Sequence, residues 1–146
     1  MSAKNFFSVE QQLAIKAAIA RAEINTSGEV RVHIDNKCNG TALVTAVKVF
    51  SRLKMHKTKL RNGVLFYLAV DHKQFAILGD KGINELVPAD FWDTIRDAML
   101  VHFQKNEYTE GLCKGIDMAG EKLKVHFPFQ SNDKNELSNE VSFGKN

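Results

Sequence analysis

The stretch Gly63-Val64-Leu65-Phe66-Tyr67-Leu68-Ala69-Val70 carries no charge and is rich in β-branched and aromatic side chains. It is far too short to span a bilayer, and as a strand it has no face that prefers water. It therefore predicts the centre of a sheet covered on both sides by helices. The polar triplet Asp71-His72-Lys73 and the return run Gln74-Phe75-Ala76-Ile77-Leu78 predict an antiparallel hairpin, closed by Gly79-Asp80-Lys81-Gly82.

Upstream, Ser8-Val9-Glu10-Gln11 matches a capping box that opens a helix running to about Glu23, broken by Asn25-Thr26-Ser27-Gly28. Val30, Val32 and Ile34 alternate with Arg31, His33 and Asp35, which predicts a strand with one wetter face, nearer the sheet edge. Asn36 to Gly40 reads as a loop, and Ala42 to Leu53 as a helix through Leu43, Val47 and Phe50. Strand, helix and central strand then form a parallel crossover unit. Downstream, Pro88 suits the first turn of a helix reaching about Gln104, with Phe91, Trp92, Ile95, Ala98, Met99 and Phe103 on its buried face. A last helix runs through Leu112, Ile116, Ala119 and Leu123. Its Gly111, Gly115 and Gly120 imply close packing against a neighbour.

The expected fold is a three-layer α/β/α sandwich on a small mixed sheet, one domain over residues 1–128. A polar tail over 129–146 is expected to be loose. The 146 residues suffice for one core, and 44% hydrophobic with 25% charged content excludes a mainly disordered chain. Cys38 and Cys113 stand apart, with no CxxC pair, and are expected to be reduced. No stretch reads as a signal peptide or membrane span, so the expectation is a cytoplasmic monomer that does not engage membranes.

Chain direction fixes which strand ends meet. The starts of the Val30 and Val64 strands and the end of the Phe75 strand share one rim, which gathers Gly28, Glu29, Arg61, Asn62, Gly63, Gly79, Asp80 and Gly82. Glu29 and Asp80, with Asp90 and Asp93 from the next helix, form an all-oxygen donor set. That set suits a hard divalent cation, calcium ahead of magnesium, and does not suit zinc. The opposite rim carries Asp35 and Asp71. Open α/β sheets usually bind ligands at that carboxyl end, but the glycines cluster at the other.

Thr26-Ser27-Gly28-Glu29-Val30, Arg61-Asn62-Gly63-Val64-Leu65, Gly79-Asp80-Lys81-Gly82 and Tyr108-Thr109-Glu110-Gly111-Leu112 occur in an order that resembles the TPM domain family, over roughly Phe6 to Phe127. The resemblance implies an α/β sandwich, divalent-metal binding and, for some plant members, acid phosphatase activity. By position, Glu29 corresponds to the family's acidic residue after Ser-Gly, and Gly79 and Gly82 to its paired glycines.

Lys48, Arg52, Lys54, His56, Lys57, Lys59 and Arg61 form a basic run before the central strand. Within it Lys57, Lys59 and Arg61 are the expected anion-binding groups, either on a loop that draws a phosphate to the acidic rim or simply on a solvated connector. The run lacks interleaved aromatics and the net charge is only +3, so nucleic acid is not expected. Cys38 has no base near it in the sequence, so a catalytic thiol is not expected. Two functional classes follow. One is a metal-binding interaction module with a protein partner or small phosphorylated ligand. The alternative is a metal-assisted phosphomonoesterase.

Overall fold

The computed structural model describes residues 3–130 and 136–144. Helix α1 (Ala3–Phe6) leads into α2 (Val9–Asn25), opened by the expected capping box: the Ser8 hydroxyl accepts from the Gln11 amide while the Gln11 side chain accepts from the Ser8 amide. Strand β1 (Glu29–Asp35) and helix α3 (Ala42–Arg52) precede the hairpin of β2 (Gly63–Ala69) and β3 (Gln74–Gly79). Helices α4 (Lys81–Asn84), α5 (Asp93–Phe103) and α6 (Tyr108–Leu123) follow, and β4 (Ser142–Phe143) closes the chain.

The sheet order is β3-β2-β1-β4, with β1 parallel to β2 and to β4, and β2 antiparallel to β3. Every residue of β2 is buried, as a two-sided apolar strand must be. Period-two alternation sends Val64, Phe66 and Leu68, with Val30, Val32 and Ile34, into a core shared with α2, α5 and α6. Leu65, Tyr67 and Ala69 enter a smaller core under α3. Helices therefore lie on both faces of the sheet, as expected.

The glycines of α6 let helices approach one another. A Cβ on Gly120 would lie 2.8 Å from the Ala22 Cα of α2, and one on Gly115 would lie 2.4 Å from the Met99 sulfur of α5.

Three expectations need correction. Strand β1 is not near an edge: β4 flanks it, and His33 and Asp35 are buried. The helix expected from Pro88 begins at Asp93. Pro88 instead closes a turn by accepting the Phe91 amide, and the Asp93 amide bonds Asp90. Residues 136–144 are no loose tail, because Leu137 is buried beneath α3's layer and the Gly144 amide donates to the Ile34 carbonyl. Ser131 to Asn135 of the expected tail lie outside the described residues.

Candidate functional site at the two rims of the sheet

The amino-terminal rim of β1 and β2 assembles in the expected order. The Glu29 amide donates to the Asn62 carbonyl and the Asp80 amide to the Gly63 carbonyl, so Glu29, Gly63 and Asp80 stand on neighbouring strands. Two strand spacings separate Glu29 from Asp80 by about 10 Å.

Each carboxylate is held by protein donors. Asp80 receives Arg61 through two bonds of 2.7 and 2.8 Å and caps α4 by accepting from the Lys81 amide at 2.8 Å. Glu29 accepts from the Glu136 amide at 2.8 Å and the Leu137 amide at 3.0 Å, which straps the C-terminal segment to the sheet. Between the two, over Gly63, sit the Met55 carbonyl and the ends of the Met55 and Leu137 side chains. A single ion on both carboxylates does not fit this arrangement, since Arg61 already neutralises Asp80. Among the described residues no three His, Cys, Asp or Glu side chains converge as a metal cage.

The other expected ligands lie apart. Asp90 and Asp93 are exposed, and Asp93 pairs with Arg96 one turn on. Lys57 and Lys59 are exposed. The Lys59 amide donates to the Glu136 carboxylate, and buried Met55 pins the basic run to the domain. Asn62 is buried and its amide group donates to the Ser27 carbonyl, while the Gly82 amide packs onto and donates to the Arg61 carbonyl at 2.9 Å.

Beside Glu29 lie two carboxylates that the sequence did not single out. Burial raises Glu29 from 4.5 to about 7 against the opposing bonds from the Leu137 and Glu136 amides, and repulsion from the Glu136 carboxylate adds to the rise. Burial likewise raises Glu23 to about 7, opposed by its bond from the Val30 amide and assisted by the charge of Glu29.

The carboxyl-terminal rim is organised around Asp35. Its side chain bonds the His33 ring at 3.0 Å and accepts from the Tyr67 hydroxyl at 2.6 Å; the other His33 nitrogen meets the Ser142 hydroxyl at 2.7 Å. Burial opposes ionisation of Asp35, but the bonds from His33 and Tyr67 and the charges of His33 and Arg52 outweigh it, holding the carboxyl below its ordinary value. Burial and the Asp35 carboxylate push the Tyr67 phenol well above its own.

Asp35 forms one wall of an open cleft of about 310 Å³, lined also by Lys37, Asn39, Thr45, Lys48, Arg52 and Gly144. Thr45, Lys48, Val49 and Arg52 share one face of α3 at i, i+3, i+4 and i+7. Among the described lining residues three cations stand against one carboxylate, itself turned toward His33 and Tyr67.

The sequence pattern of the TPM domain matches residues 1–122. The chain belongs to the TPM domain family. This TPM domain is similar, at TM-score 0.90 and 47% identity over 95% of this chain and 96% of the other, to the BA42 protein of the psychrophilic bacterium Bizionia argentinensis, whose structure was solved by NMR. At 20% identity and TM-score 0.69, over 83% of this chain and 78% of the other, it shares its fold with the N-terminal domain of a P. gingivalis protein. The N-terminal domain of a Corynebacterium glutamicum protein shows the same fold at 10% identity and TM-score 0.63, over 97% and 84%. No protein among the curated ones matches the chain.

Proposed function

We propose that this TPM domain is a binding module whose ligand is a small phosphorylated anion, held in the cleft at the carboxyl end of β1. The observation that carries the reading is the convergence of Lys37, Lys48 and Arg52 on one cleft with Asn39 and Thr45 as polar neighbours. Arg presents a planar fork and Lys a point charge, a combination that suits phosphate oxygens. Among the described lining residues the one hydroxyl is that of Thr45, and it is engaged with the Asn39 and Thr41 carbonyls, which favours recognition over nucleophilic chemistry. Residence in the cytoplasm and a monomeric state belong to the same proposal. Among the described residues, no helix is long and apolar enough to cross a membrane.

A divalent cation, calcium ahead of magnesium, is a separate proposal for the opposite rim. Glu23 and Glu29 repel each other there, and buried Asn62 keeps a side-chain oxygen without a partner among the described residues. An ion would have to take Glu29 from the Glu136 and Leu137 amides. That place and the cleft lie at opposite ends of β1, about 20 Å apart at the usual rise per residue. An ion at Glu29 therefore cannot polarise a phosphoryl group in the cleft, which counts against the metal-assisted phosphomonoesterase. Titrating the protein with a phosphomonoester and with calcium in separate NMR series tests both readings. The anion should move Asn39, Thr45, Lys48 and Arg52, and the cation should move Glu23, Glu29 and Asn62. Phosphate shifts confined to the Glu29 rim would overturn the first reading.

A further inference from the structure

Cys38 does have a base beside it, contrary to the sequence expectation. The β2–β3 turn carries His72 across to the loop after β1. There its Nδ1 lies 3.6 Å from the Cys38 sulfur and accepts the Cys38 amide at 3.3 Å. Accepting that N–H requires Nδ1 to be unprotonated, so its single lone pair is shared between the Cys38 amide and the neighbouring thiol. The Gly40 carbonyl at 3.6 Å and the Gln74 side-chain oxygen at 3.7 Å are the other acceptors around the thiol. Both are weak bases, so His72 is the group able to take the proton.

The surroundings limit the electrophile. Cys38 is 5% exposed and packs with Ala42, Ala46 and Tyr67, which keeps a bulky electrophile from the sulfur. Acyl transfer needs free donors for a developing oxyanion. Three of the opening amides of α3 are already engaged: Ala42 donates to Gln74, Val44 to the Thr41 hydroxyl and Thr45 to the Thr41 carbonyl. A hydroperoxide needs no such hole.

We propose that Cys38 and His72 form a thiol–imidazole site that reacts with small hydroperoxides. His72 Nδ1 removes the thiol proton, and the sulfur attacks the terminal peroxide oxygen. The S–O bond forms as the O–O bond breaks, and the proton passes from His72 to the departing oxygen. Cys38 is oxidised by two electrons to a sulfenic acid, and the peroxide is reduced to an alcohol or water. Cys38 does not line the anion cleft, although Lys37 and Asn39 on either side of it do. Charged neighbours are Lys37 next to Cys38, Asp71 and Lys73 on either side of His72, and Tyr67 beneath, whose phenol senses the Cys38 charge.

The test is brief treatment of the full chain with hydrogen peroxide, trapping with a sulfenic-acid-specific dione, and mass spectrometry of both cysteines. Cys113 is the internal control: it is half-buried, burial raises its thiol, and among the described residues it donates to the Ala14 carbonyl. Cys38 should be trapped in preference to Cys113. His72→Gln keeps an acceptor for the Cys38 amide but not a base, and should slow trapping roughly tenfold or more with an unchanged melting temperature. Equal trapping of both cysteines, or a His72→Gln rate equal to wild type, would overturn the proposal.

Discussion

Stability of this domain should fall as pH rises through neutrality, and Glu29 and Glu23 are the cause. Two effects compete at Glu29. Bonds from the Glu136 and Leu137 amides favour the carboxylate, whereas burial and the neighbouring Glu136 carboxylate favour the acid; burial is the largest effect and sets the sign. Both glutamates are raised from 4.5 to about 7. The folded state therefore binds more protons than the unfolded chain between those values. The stabilisation is present in full below about pH 4.5 and is lost as pH rises through about 7. A shift of this size corresponds to about 3 kcal/mol per group in full, which solvent screening of these partly shielded side chains reduces to about 1 kcal/mol each. The pair then lowers the melting temperature by about 5 °C between pH 5.5 and pH 8.5. Differential scanning calorimetry across that range measures it, with the Glu23→Gln/Glu29→Gln double variant as the control that should flatten the slope. A wild-type melting temperature that climbs from pH 5.5 to 8.5, or a slope that survives in the double variant, would refute the claim that burial outweighs the amide bonds.

Further outcomes follow from single contacts. Gly82→Ala would place a Cβ 2.2 Å from the Leu60 carbonyl and 2.6 Å from that of Arg61, so backbone must move; a loss of about 3 kcal/mol in chemical denaturation is expected. Tyr67→Phe removes the bond to buried Asp35 and should cost about 2 kcal/mol in the same assay. Lys48→Ala and Arg52→Ala remove cleft cations without opening the core. Each should weaken phosphomonoester binding about tenfold in calorimetric titration while leaving the unfolding midpoint in place.

Much of the fold was legible because its signals are local. The apolar run of β2 announced a doubly covered strand, the Ser8/Gln11 pair announced the start of α2, and the α6 glycines announced close helix contacts. The position of β1 was misread because Arg31, His33 and Asp35 look like a solvated face. They are covered by α3's layer and by β4, whose two paired residues leave almost no periodic pattern in a polar segment. Pro88 was read as a helix start, yet turns run from it to Trp92, whose ring packs on Gly79.

The candidate site was legible only in part. Chain direction correctly placed Glu29, Gly63 and Asp80 on one rim. It carried no information about Met55 and Leu137 filling the gap, because both arrive from outside the three strands. The cleft residues Thr45, Lys48, Val49 and Arg52 are visible at helical spacing, but only as a basic run until α3 is docked over Asp35. Cys38 and His72 are 34 positions apart, and only the strand register shows that the loop and the turn share an end of the sheet.

The central claim is that ligand binding belongs to the carboxyl end of β1. Backbone and side-chain NMR shifts of the full chain during a phosphomonoester titration at low and at raised salt test it most directly. The account predicts saturable shifts at Asn39, Thr45, Lys48 and Arg52 that weaken as salt screens the cations. Saturable shifts at Glu29 and Asp80 with the cleft silent, or no saturable shift anywhere, would contradict it.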